Sequence, residues 1–178
     1  MKSRLLASAP SGVALALFAA CPVSAQEGCK MSWEASAANS TYTKQQVLDV
    51  GDVPGHQLRI YELHRTFPSD KPNCEGLKRV EQWSRGLTDY TDGNGSLSGY
   101  TVTILENGDK IFGKVSGTSQ TTTNSDGSKT STFTGVVTYT GGTGKYQRVR
   151  GIQRDIIAFD LEKNFNQQRA EAEYWFEK

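Results

Sequence analysis

Residues 133–157, FTGVVTYTGGTGKYQRVRGIQRDII, constrain this chain more than any other stretch. Two runs of β-branched and aromatic residues flank glycines at positions 141, 142 and 144, and a further glycine stands at 151. Val, Ile, Thr and Tyr favour an extended backbone, and glycine permits the positive φ that tight turns require. The segment therefore reads as strand, tight turn, short ordered loop, second turn, strand.

The same pattern continues through the chain. Residues 56–67 (HQLRIYELHRTF) alternate, with Leu58, Ile60, Glu62 and His64 on one face and Arg59, Tyr61, Leu63, Arg65 and Phe67 on the other. Both faces are mixed, so the inward one is left open. Residues 78–91 form the next strand, with Gly86 expected as a bulge or kink. Asp92-Gly93-Asn94-Gly95 and Asn107-Gly108 are hairpin turns around the strand at 97–105. Residues 110–118 return, with Gly113 and Gly117 on one face, where small side chains suit tight curvature. The polar residues 119–129 read as an extended hairpin end. Residues 168–176 alternate strictly, with Ala170, Ala172, Tyr174 and Phe176 sharing a face. Residues 26–55 read as a mixed N-terminal extension with weak helical character around 43–50, and residues 56–178 as the body. Seven or eight strands in up-and-down order predict an all-β fold: a single antiparallel eight-stranded β-barrel, which leaves no edges to protect.

The first 25 residues read as an export signal rather than structure. Lys2 and Arg4 precede an apolar run at 12–20 that is too short to span a membrane, and Val23-Ser24-Ala25 supplies small residues for cleavage after Ala25. The alternative is a lipoprotein cut before Cys21. No other apolar run approaches the ~18 residues of a spanning helix. Removing residues 1–25 leaves 18 basic against 19 acidic side chains. That balance carries no electrostatic footprint for nucleic acid or an anionic membrane. Cys29 and Cys74 remain as an even pair in an oxidising compartment. They predict a disulfide and a secreted or periplasmic location. With no CxxC spacing and two histidines, no metal site is expected.

Gly141-Gly142-Thr143-Gly144-Lys145-Tyr146, followed by Val149-Arg150-Gly151, resembles the GGTGKY…G signature of the allene oxide cyclase and dirigent barrel group. The hairpin from Gly99-Tyr100-Thr101-Val102 to Gly108-Asp109-Lys110-Ile111-Phe112 resembles that of bacterial secreted members. The resemblance implies an eight-stranded calycin-like barrel with an apolar cavity. In that group the plant cyclase isomerises a bound fatty-acid epoxide, dirigent proteins steer phenol radical coupling, and dirigent-type relatives often form trimers. The cyclase's catalytic carboxylate and cysteine have no matching positions here. The glycines also read as a barrel corner rather than a phosphate loop, because the Walker ending and the following helix are missing.

Candidate ligand-binding residues for the lumen are His64, Glu81, Trp83, Arg85, Tyr90, Tyr100 and Tyr139. Glu81, Trp83 and Arg85 share a strand face: turned inward they make a charged pair beside an aromatic wall, turned outward a solvated face. His56 and His64 stand too far apart on one strand to share a metal. Catalytic residues are not identifiable, and no cofactor is expected. The leading expectation is a binder of a small apolar or aromatic molecule in the lumen. The alternatives are an isomerase or cyclase-like enzyme acting by conformational control, and a structural envelope protein with a packed barrel. A homo-oligomer is left open. A lumen below ~300 Å³ argues against both ligand readings.

Overall fold

A computed structural model describes residues 28–161 and 163–178. The expected signal peptide, with its cleavage after Ala25 or before Cys21, lies outside the described residues. One antiparallel sheet holds nine strands: β1 (Cys29–Ala35), β2 (Ser40–Asp49), β3 (His56–Thr66), β4 (Arg79–Thr91), β5 (Asn94–Leu105), β6 (Lys110–Thr123), β7 (Lys129–Gly142), β8 (Val149–Asp160) and β9 (Phe165–Phe176). Their order across the sheet is β1-β9-β8-β7-β6-β5-β4-β3-β2. From β2 to β9 each strand pairs with its neighbour in sequence, as short turns dictate. No helix among the described residues is long and apolar enough to cross a membrane.

Two expectations are corrected. The sheet has nine strands rather than eight, and its ladder does not close into a barrel, since β1 and β2 are its two ends. The cause lies in the part of the chain expected as an extension, residues 26–55. Its described residues include two strands, Cys29–Ala35 and Ser40–Asp49, separated by a 3-10 turn at Ala37–Asn39. One half of this bent segment pairs with β9 and the other with β3, so each half uses one edge only. A single strand using both edges would have closed the ring.

Side chains cover what the ladder leaves open. The Tyr42 amide donates to Asn164 Oδ1 at 2.9 Å, and Asn166 Nδ2 donates to the Tyr42 hydroxyl at 2.9 Å. At the other end the Arg79 guanidinium lies 3.6 Å from the Trp33 ring centre and donates to both oxygens of buried Asp70, at 2.8 and 2.6 Å. Cys29 and Cys74 are disulfide-bonded, as the cysteine count predicts. Between β7 and β8, Tyr146 is fully buried. Its hydroxyl donates to Glu75 Oε2 at 3.1 Å and accepts from Asn73 Nδ2 at 2.7 Å, while the Tyr174 hydroxyl also donates to Glu75. Burial and the Glu75 carboxylate push the Tyr146 hydroxyl up to about 12.

The glycines do two jobs. Gly144 takes φ +52° and Gly151 φ +156°, conformations that side chains with a Cβ rarely adopt. Gly117 and Gly135 instead make room, since a Cβ on either would stand 2.6 or 2.3 Å from the Phe133 ring. Gly86, expected as a bulge or kink, sits in a regular part of the ladder opposite Gly99; the register shift in β4 falls between Arg79 and Glu81. A Cβ at Gly86 would stand 3.0 Å from the Tyr61 ring.

Candidate functional site

Period-two alternation turns one residue in two toward the interior of the curled sheet. The inward side of β3 carries Tyr61, Leu63 and Arg65, all buried. β4 contributes Gln82 and Ser84, β5 Thr101 and Thr103, β7 Phe133, Val137 and Tyr139, β8 Gln153, Asp155, Ile157 and Phe159, and β9 Asn166, Gln168, Ala170 and Tyr174. Large apolar groups thus surround two hydrogen-bonded polar clusters in the core.

One cluster centres on Arg65 and the other on Asp155. Arg65 donates to Gln82 Oε1 at 3.1 Å and to Asn166 Oδ1 at 2.8 Å, and Gln82 Nε2 donates to Thr103 Oγ1 at 3.2 Å. One oxygen of Asp155 accepts from Gln153 Nε2 at 2.7 Å and from Gln168 Nε2 at 3.0 Å, and the Tyr139 hydroxyl donates to Gln153 Oε1 at 3.0 Å. Burial holds the Asp155 carboxyl above its usual value and the Arg65 guanidinium below its own, and the attraction between the two charges opposes each shift. Burial also raises Tyr42, Tyr61 and Tyr139.

A cavity of about 50 Å³ touches Arg65, Asp155, Tyr61, Thr88, Phe133 and Phe159 among its walls. Arg65 Nε and Thr88 Oγ1 are buried without a protein partner. The space suits a few waters, well short of the roughly 300–1,000 Å³ of ordinary ligand pockets. Outside, an open groove of about 860 Å³ runs along β1 beneath residues 66–71. Its rim mixes Lys71, Arg154 and Arg169 with Glu34 and Glu171, and Glu34 pairs with Arg169 at 3.0 Å.

The sequence-derived candidates divide between the two sides of the sheet. Tyr90 and Tyr139 are buried inside, and burial pushes the Tyr90 hydroxyl up to about 12. His64, Glu81, Trp83, Arg85 and Tyr100 lie on the outer side. There His64 stacks on Trp83 with ring centres 4.1 Å apart, and Glu81 Oε2 meets His64 Nε2 at 3.3 Å and Trp83 Nε1 at 3.1 Å. Arg85 pairs with Glu62 at 2.7 Å, and Tyr100 is 63% exposed. Glu81, Trp83 and Arg85 thus take the outward of the two placements open to them. A partly polar outer row of this kind costs little desolvation, whereas Arg65 and Asp155 bear that cost inside.

Sequence reading passed over Arg65, Gln82, Gln153, Asp155, Asn166 and Gln168. The available signal was a polar residue sharing a strand face with large apolar ones: Gln153 and Asp155 with Ile157 and Phe159, and Arg65 with Leu63 and Phe67. Among the described residues no group of three or more His, Cys, Asp or Glu is placed to hold a metal ion. Compared with known proteins, the chain matches no family model, no curated protein and no solved structure.

Proposed function

We propose that this chain is an exported, non-catalytic structural protein with a filled β body, and that it works through the outside of its sheet. One observation carries the reading. The interior leaves about 50 Å³, while the concave space of ligand size, about 860 Å³, lies outside. An apolar or aromatic molecule in the lumen would need several times the enclosed volume. Export is supported by the Cys29–Cys74 disulfide, which persists in oxidising compartments. Kinship with the allene oxide cyclase and dirigent group is part of the proposal; its support is the glycine motif at the β7–β8 turn and the up-and-down strand order.

A second reading, an isomerase controlling the shape of a bound substrate, is favoured by the convergence of Arg65, Asp155 and Tyr61 on one cavity. Perturbed groups of this kind also arise in purely structural networks. Here burial is the leading cause of each shift, and the same packing leaves a substrate no room.

Native mass spectrometry of protein purified from its own host tests the proposal. The expected spectrum contains polypeptide masses alone. A stoichiometric small molecule, retained under native conditions and lost on denaturation, overturns it in favour of a ligand reading.

A further inference from the structure

We propose that the free edge of β2 pairs with β2 of a second copy, giving a symmetric dimer joined through one continuous antiparallel sheet. The proposal rests on the reading that the outside of the sheet is the working part. It adds the partner and the contact.

β2 ends the sheet, so beyond Tyr42 it has a ladder neighbour on one side only, β3. The register tells which backbone groups face the open side. Val50 donates its amide to the His56 carbonyl at 3.0 Å, and Leu48, Gln46 and Lys44 lie at two-residue steps from it, opposite Leu58, Ile60 and Glu62. These residues direct N–H and C=O toward β3. The alternate residues Gln45, Val47 and Asp49 direct theirs outward.

An open edge is normally blunted by charged side chains, proline, a bulge or a covering loop; β2 carries Lys44 and Asp49 near the two ends of its regular part and one bulge. The bulge in β2 lies at its start, between Tyr42 and Lys44, and leaves the remainder regular. Residues 44–49, KQQVLD, contain no proline or glycine. Val47 is 48% exposed on one face; on the other Leu48, 66% exposed, adjoins exposed Ile60 and Leu87 of the neighbouring strands. The other sheet end behaves differently, since β1 is overlaid by the Trp33–Arg79 stack and tied down by the disulfide.

The edge is complementary to itself in one register. A two-fold axis normal to the sheet pairs residues whose side chains lie on the same face, so partners must be an even number of positions apart. Placing Val47 opposite Val47 of the second copy satisfies this. It sets Gln45 opposite Asp49 of the second copy, and Asp49 opposite Gln45. All three outward residues of each copy then exchange backbone hydrogen bonds, whereas a shift of two residues uses fewer. The side chains agree with this register. Gln45 Oε1 accepts from Arg59 at 2.6 Å, which leaves its NH₂ to donate, and Asp49 Oδ1 accepts from Gln57 at 2.9 Å, which leaves Oδ2 to accept. Parallel pairing would instead bring the two Asp49 carboxylates together. An arbitrary strand would share the backbone bonds but not the two Gln–Asp pairs, so the geometry commits the edge to a second copy.

Sedimentation velocity on the full mature protein, at concentrations from about 1 to 100 µM, tests the proposal. The expected result is a concentration-dependent dimer. Val47→Pro removes the central outward amide and should weaken association at least tenfold. Gln45→Asp places two carboxylates opposite each other and should weaken it also, and adding Asp49→Lys should restore it. Near-UV circular dichroism and the thermal midpoint establish that each variant is folded. Should Val47→Pro fail to fold, the charge pair Gln45→Asp and Gln45→Asp/Asp49→Lys decides alone. A monomer throughout the range overturns the proposal, as does a dimer indifferent to these changes. The functional reading fails separately, through a retained small molecule in the native mass spectrum.

Discussion

Replacing both Cys29 and Cys74 with alanine tests how the incomplete ladder is held together. The bridge spans a sequence separation of 45 residues. In the chain-entropy model a loop of that length is worth about 4 kcal/mol at 25 °C. The bond also ties β1 to the loop whose Asn73 and Glu75 hold Tyr146 and Tyr174. For a folded body of about 150 residues, a loss of about 4 kcal/mol lowers the thermal midpoint by roughly 8–16 °C. With a urea slope near 2 kcal/mol per molar, it lowers the urea midpoint by about 2 M. Hydrogen exchange supplies the regional test. Amides of β1 and residues 67–78 should lose protection first, because β1 is laddered on one edge only, to β9, and the loop is held by side chains, while the β4–β8 ladders stay protected. A double-alanine variant within about 1 kcal/mol of the parent would refute the reasoning. So would a loss of protection spread evenly over all nine strands.

The interior charges should behave as a compensating pair. Arg65→Met and Asp155→Asn should together cost less than the sum of the two single losses; additive losses in urea unfolding would show that neither charge offsets the other. Because burial raises the folded-state value of Asp155, its charged form opposes folding. The parent should therefore gain stability relative to Asp155→Asn as pH falls through that raised value toward the ordinary aspartate range near ~4, and a relative loss would contradict this. His56 lies between Asp89 and Asp52, with ring nitrogens 2.8 and 2.6 Å from their carboxylates, and these bonds raise it above the ordinary histidine value. Its contribution to stability is present below that ordinary value and lost as pH rises through the raised one. A ring titration by NMR should show the raised value, and Asp89→Asn should lower it. Gly151→Ala should cost more than about 1 kcal/mol in urea unfolding, since φ is +156° and the new Cβ would stand 2.3 Å from the Glu173 carbonyl; a neutral result would mean the turn relaxes freely.

What the sequence disclosed follows from how local each signal is. Strand and turn chemistry is written within a few residues. Asp92 and Gly93 take φ of 50° and 80° at the hairpin that Asp-Gly announced, and β9 buries Ala170, Ala172 and Tyr174 as its alternation requires. Closure is not local. Whether β1 and β2 act as one strand or two depends on the bend at residues 37–39; β1 alternates Met31, Trp33 and Ala35 with Lys30, Ser32 and Glu34 over seven residues only, and most side chains of β2 are exposed, which blurs its alternation. Facing is not local either. His64, Glu81, Trp83 and Arg85 look like a site because charged and aromatic groups alternate there, yet their neighbours across the ladder set them outside. Arg65 and Asp155 look ordinary, because each is a single polar residue in an apolar row. Such a row tolerates a charge only when partners from distant strands converge on it, and Arg65 finds Asn166, 101 positions along the chain, in another strand altogether. The polar core of this protein is thus a product of its topology. The open edge of β2 is as well: no residue between 44 and 49 looks unusual until the sheet is seen to stop there.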